Sequence, residues 1–136
     1  MQTIVVGYDE TEASKRALDR GAEFAKAFGA KLIVTSVAPV MVSSRSSGAI
    51  DPTDTPDDHR AELDHAREHL QGSGVDVEFQ PAIGEPAETI VELAEERKAD
   101  MIVVGTREPN VLERLLGESV SQSVSHRAHC DVLIVH

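Results

Sequence analysis

The residues from Val103 to Ser121 have the types and spacing that could do chemistry. Val103-Val104 closes an apolar run, and Gly105-Thr106-Arg107-Glu108 begins a polar loop. Gly117-Glu118-Ser119-Val120-Ser121 then reads as a helix start. A strand, a tight loop and a helix start in that order gather backbone N–H groups and the positive end of a helix dipole. That is how proteins cradle phosphate. Two positions where such a loop favours glycine carry glutamate, Glu108 and Glu118. Carboxylates there oppose the charge that the geometry invites.

Other reactive side chains form weaker constellations. His65 and His69 are four apart on an expected helix, so they share a face and could ligate a metal. No carboxylate or cysteine spacing completes a signature, and a polar helix face explains them more simply. His126, His129 and Cys130 also have ligand-like spacing, again without a completing group. Cys130 has no evident base beside it and reads as a small buried or half-buried thiol rather than a nucleophile. The neighbours Asp9/Glu10, Asp57/Asp58 and Glu95/Glu96 do not face each other on a helix and read as solvated charge, Asp9 excepted. No Walker loop, no G-x-G-x-x-G and no G-x-S-x-G occurs. The residues therefore favour a binding module over an enzyme.

The elements that must position these groups alternate. Residues 3–7 form a β-branched run suited to a strand buried on both faces. Asp9 and Thr11 are helix-capping types, and Ala13, Ala17, Leu18, Gly21, Phe24, Ala25 and Phe28 recur at helical spacing until Gly29. A second strand spans Lys31 to Val37. Residues 38–54 are rich in Pro, Ser, Gly and Asp and read as a long functional or mobile loop. A charged helix is expected from Asp57 to Gln71, turning Ala61 or the stem of Glu62, Leu63, Ala66 and Leu70 inward. An outer strand is expected over Val75–Pro81, and a helix with Pro86 at its first position follows. Met101–Val104 reads as a buried strand, Ser119–Arg127 as the last helix and Val132–Val135 as the last strand. Strict β/α alternation predicts one domain over 1–136, an α/β doubly wound parallel sheet with right-handed crossovers. Ligands then bind beyond the strands' carboxyl ends where strand order reverses, here between the first strand and the one ending at Gly105.

Composition narrows the partners. A formal net charge of −11 argues against nucleic acid and anionic membranes. Aromatic residues are only 3%, so the core must be aliphatic. With 4 Lys among 13 basic residues, the acidic surface fits a salt-rich cytoplasm as well as an ordinary acidic protein. One cysteine excludes an internal disulfide, and Met1-Gln2-Thr3-Ile4 leads into a strand without a signal-peptide pattern. No apolar run approaches a membrane span. A cytoplasmic location is expected.

Four segments together carry a family resemblance: Ile4 to Ser14, Gly84 to Ile90, Ala99 to Arg107, and Ser119-Val120-Ser121 through Cys130 to Val135. On these the chain resembles the universal stress protein family over nearly its whole length. The resemblance implies an open five-stranded parallel sheet of order 3-2-1-4-5 with helices on both faces. It also implies a stress-response role and a homodimer paired through the last strand, Asp131–Val135. An unpaired apolar edge invites such pairing on physical grounds.

ATP-binding members of that family share a motif of G, two residues, G, nine residues, then G with Ser or Thr. Here the spacing falls on Gly105, Glu108, Glu118 and Ser119. Gly117 is one residue early, and neither register restores the motif. The resemblance puts Asp9 near a ribose and Val37 beside a base. Arg107 could neutralise phosphate, or pair with Glu108, Glu113 or Glu118, the plainer role. Ser119, Val120 and Ser121 stand at the helix start, where the serines could touch phosphate but are more simply caps. A carboxylate ~5 Å from a phosphate charge costs about 3 kcal/mol at an effective dielectric of ~20. ATP binding is therefore expected to be lost or weak, unless Mg²⁺ bridges carboxylate and phosphate. The expected function is a non-enzymatic stress-response module with an unidentified protein partner. The alternative is a nucleotide-binding switch using the same cleft.

Overall fold

The computed structural model describes residues 1–38, 56–106 and 120–136. Among them the order is β1 (Thr3–Gly7), α1 (Glu12–Phe28), β2 (Lys31–Ala38), α2 (Pro56–Leu70), β3 (Val77–Ile83), α3 (Pro86–Glu96), β4 (Met101–Gly105), α4 (Val120–Arg127) and β5 (Asp131–Val135). The five strands form one sheet in the order β3-β2-β1-β4-β5. All four pairings are parallel. This is the expected doubly wound architecture, with the reversal of strand order between β1 and β4.

Strand alternation sorts the aliphatic side chains into two cores. Ile4, Val6, Leu32, Val34 and Val103 face one side with Ala17, Leu18 and Ala25 of α1 and Leu63, Ala66 and Leu70 of α2. Val5, Ile33, Ile102 and Val104 face the other with Ala87, Ile90 and Val91 of α3 and Val124 of α4. Burial on both faces explains why β1 and β4 are continuous apolar runs.

Helix ends follow the expected chemistry. Thr11 caps α1 by accepting from the Ser14 N–H at 3.2 Å. Gly29 ends α1 at φ 65°, a left-handed conformation that costs glycine little. Glu85 caps α3, accepting from Ala87 N–H at 3.3 Å and Glu88 N–H at 2.7 Å, with Pro86 in the first turn.

Some boundaries differ from the sequence expectation. β2 runs one residue further, to Ala38. β3 spans Val77–Ile83 instead of Val75–Pro81. Its register is set by β2, from Leu32↔Val77 to Ala38↔Ile83, and not by its own alternation. Pro81 lies inside this ladder, as an edge strand permits. α2 ends at Leu70, one residue before the expected end. Residues 39–54 of the expected loop, and Ser119 of the expected last helix, lie outside the described residues.

The amino-terminal sides of β2 and β3 are tied by charge. Glu78 meets Arg97, at the end of α3, and Lys31 at 3.1 Å. Hydrogen bonds first from Arg97, then from Lys31, hold the Glu78 carboxyl down at about 2. A depressed carboxylate stabilises the fold above its unfolded value of 4.5, and that contribution is lost as pH falls toward about 2. Glu78 is 29% exposed, so solvent screening reduces the contribution to about 1 kcal/mol. Urea unfolding of Glu78→Gln is expected to show that deficit at pH 7. The two stability curves should converge near pH 2. A constant deficit across pH would assign the loss to packing instead.

Candidate functional site

A cleft of about 460 Å³ opens at the carboxyl ends of β1, β2 and β4. Asp9, Val37, Gly105, Val120 and Ser121 all line it, so the topology brings five of the expected site residues together. Arg107, Glu108, Glu118 and Ser119 lie outside the described residues. Tyr8, Thr35, His59 and Glu62 complete a wall that the sequence reading had not singled out.

The turn after β1 is built by short side chains. Asp9 Oδ1 accepts from the Thr11 N–H at 3.1 Å and the Thr11 hydroxyl at 2.6 Å. The Ser14 hydroxyl accepts from the Asp9 N–H at 3.2 Å and donates to the Thr11 carbonyl at 3.0 Å. Between them Glu10 takes φ 65°, unfavourable for a residue with a Cβ. Its carboxylate pairs with His65 on α2. That hydrogen bond raises the His65 pKa.

Gly105 has a close-packing role as well as a motif position. A Cβ there would lie 2.5–2.7 Å from the backbone of Ala13 and Ser14. The start of α1 therefore lies flush against the end of β4, where a helix N-terminus must be to face a ligand.

The opposite wall is polar and buried. Ser36 is 1% exposed, and its hydroxyl donates to Glu62 Oε2 at 2.7 Å. His59 Nδ1 also meets Ser36 Oγ at 2.7 Å and lies 3.3 Å from Glu62 Oε2. Burial raises the Glu62 pKa, and Asp9 and Glu10 add to this against Ser36 and His59. Burial, followed by Glu10, Glu62, Asp9 and Glu12, pushes the Tyr8 phenol up to about 12. Thr35 is 1% exposed, and its hydroxyl has no hydrogen-bond partner among the described residues. Such a group costs about 1–3 kcal/mol until something satisfies it.

Three of the candidate histidines pair with carboxylates. His65 pairs with Glu10, and His69 Nε2 meets Asp19 at 2.5 Å. His129 lies 3.0 Å from Glu95. Among the described residues no three His, Cys, Asp or Glu side chains are grouped to hold a metal. Cys130 is half-buried, and burial raises its thiol pKa, which disfavours the thiolate.

The family model for the universal stress protein family matches residues 1–136. The chain belongs to the universal stress protein family. It is 37% identical over 142 residues to universal stress protein Rv1636 of Mycobacterium tuberculosis, covering 99% of this chain and 96% of the relative. It is 34% identical over 143 residues to universal stress protein YxiE of Bacillus subtilis, covering 97% of each. Among solved structures, a universal stress protein crystallised in complex with cAMP is similar at TM-score 0.76 and 39% identity, covering 99% of this chain and 96% of that one. This universal stress protein has no helix, among its described residues, long and apolar enough to cross a membrane.

Proposed function

We propose that this protein is a non-enzymatic stress-response module whose cleft takes a nucleotide of low phosphate charge and discriminates against ATP. The observation that carries the reading is the cleft itself. It has about 460 Å³ of space at the reversal of strand order, with a helix N-terminus and Gly105 at one end and buried polar groups at the other. The relative crystallised with cAMP supports a nucleotide occupant, at 39% identity over 99% of this chain. A cyclic monophosphate carries a single negative charge, whereas ATP carries several. Glu108 and Glu118, at two of the three motif glycine positions, repel in proportion to that charge.

The non-enzymatic part rests on the polar wall. In a hydrolytic triad the imidazole stands between serine and carboxylate. Here His59 and Glu62 both converge on the Ser36 oxygen, which is almost wholly buried. Calorimetric titration tests the reading directly. Micromolar binding of cAMP or AMP is expected, with ATP at least tenfold weaker and partly rescued by Mg²⁺. ATP binding as tight as the monophosphates would overturn it.

The module acts as a homodimer through β5. That strand is an edge of the sheet, and Val132, Leu133 and Ile134 are half-buried in the single subunit. Edge pairing would cover them and satisfy the open ladder. Sedimentation at micromolar concentration should give the dimer mass for the native chain and the monomer mass for Ile134→Lys. A native monomer would sink this part. A cytoplasmic location and an unidentified protein partner complete the proposal.

A further inference from the structure

The Ser36–His59–Glu62 cluster has a geometry that the phosphate end of the cleft does not use. Glu62 projects from α2 beside β2, whereas Gly105 ends β4. In the order β3-β2-β1-β4-β5, β2 and β4 are separated by β1 alone. Two inter-strand spacings are about 10 Å, close to the reach of a nucleotide from phosphate to base edge. A phosphate near Gly105 and Ser121 therefore leaves the base toward Glu62.

Among the described residues, the Glu62 carboxylate is held by one oxygen. Ser36 Oγ and His59 Nδ1 both reach Oε2, at 2.7 and 3.3 Å. No hydrogen bond to Oε1 is formed among the described residues. Glu62 lines the cleft and its side chain is only 19% exposed. An ionised group so placed needs donors more than bulk water supplies. Asp9 and Glu10, on the turn after β1, add negative potential rather than relieve it. Carbonyls and phosphates are acceptors and are repelled at this end. An N–H donor is attracted.

We infer that Glu62 is the specificity-determining residue of the cleft, reading the amine-bearing edge of a purine base, with Ser36 and His59 as positioning residues that fix its carboxylate. The inference rests on the nucleotide reading above and names what that site selects.

The test compares cAMP with the cyclic monophosphate of purine riboside, which has the same rings and phosphate but lacks the exocyclic amine. Calorimetry on the full chain should give at least tenfold tighter binding of cAMP. Glu62→Gln should reduce this preference to within about threefold, because an amide can turn either its oxygen or its NH₂ to the base. Ser36→Ala, which frees the carboxylate, should give an intermediate ratio. A merely structural role for Ser36 would lower both affinities and leave their ratio unchanged. Equal binding of the two ligands by the native protein, or a preference that persists in Glu62→Gln, overturns the inference while nucleotide binding stands. Failure of both ligands to bind the native protein overturns the nucleotide reading and this inference with it.

Discussion

Replacing Glu108 and Glu118 together with glycine is expected to raise ATP affinity about 100-fold while changing cAMP affinity by less than tenfold. Under the proposed nucleotide reading, the motif spacing that starts at Gly105 assigns both residues to positions where backbone would approach phosphate. Each carboxylate costs about 3 kcal/mol against one phosphate charge at ~5 Å and an effective dielectric of ~20. Exposure to water and salt lowers each pairwise term well below this, so that the sum over the several charges of ATP is about 1–2 kcal/mol per carboxylate. Two such terms give roughly 2–4 kcal/mol, and each 1.4 kcal/mol is a factor of ten. A single-charged cyclic phosphate feels a fraction of that. The difference should shrink at high salt, since screening acts on the repulsion and not on the fit. Titration of the native and double-variant proteins with both ligands, at two salt concentrations, reads all of this. An unchanged ATP affinity in the variant would mean that the glutamates are not what excludes ATP.

The parts of the fold with one physical cause were the most legible. β1 and β4 are buried on both faces, so their apolar runs could not be mistaken. Thr11, Gly29 and Pro86 marked helix ends because each supplies a specific backbone need. The strand order came from family resemblance, since local pattern carries no information on which strands are neighbours. β3 was misplaced by two residues because its pairing partner fixes its register. The polar wall was missed for a related reason. Ser36 interrupts an apolar strand, His59 reads as the solvent face of a charged helix, and Glu62 is offered only as an inward-facing stem and not as a site residue. His59 is nonetheless 9% exposed, and of the two residues offered for the inward face Glu62 is the part-buried one while Ala61 is exposed. What buries them is mutual hydrogen bonding across 23 and 26 residues of chain. The signal available in the sequence was the His59/Glu62 spacing of three, leading into the inward stripe of Leu63, Ala66 and Leu70.

Gly105→Ala is expected to cost about 3 kcal/mol of stability, near the upper end of overpacking effects, and to lower Tm by about 10 °C for a chain of this size. The cause is steric. Gly105 is absent from the positive-φ glycines, so alanine could adopt its backbone conformation without strain. The added methyl would instead sit 2.5 Å from the Ala13 carbonyl carbon, 2.6 Å from its oxygen and 2.7 Å from the Ser14 nitrogen. None of these is the end of a flexible side chain, so α1 itself must move. Its start is held by the Asp9, Thr11 and Ser14 hydrogen bonds, and moving it disturbs the cleft as well. Gly29→Ala is the matched control. Its Cβ would meet nothing within 4 Å, but its φ of 65° is unfavourable for alanine, so about 1 kcal/mol is expected there. Urea unfolding of the two variants separates a steric cost from a conformational one. A loss below 1 kcal/mol in Gly105→Ala would show that α1 yields easily. The same contact explains why position 105 of this chain needs glycine. Gly105 is required by the packing of α1 on β4 whether or not phosphate binds.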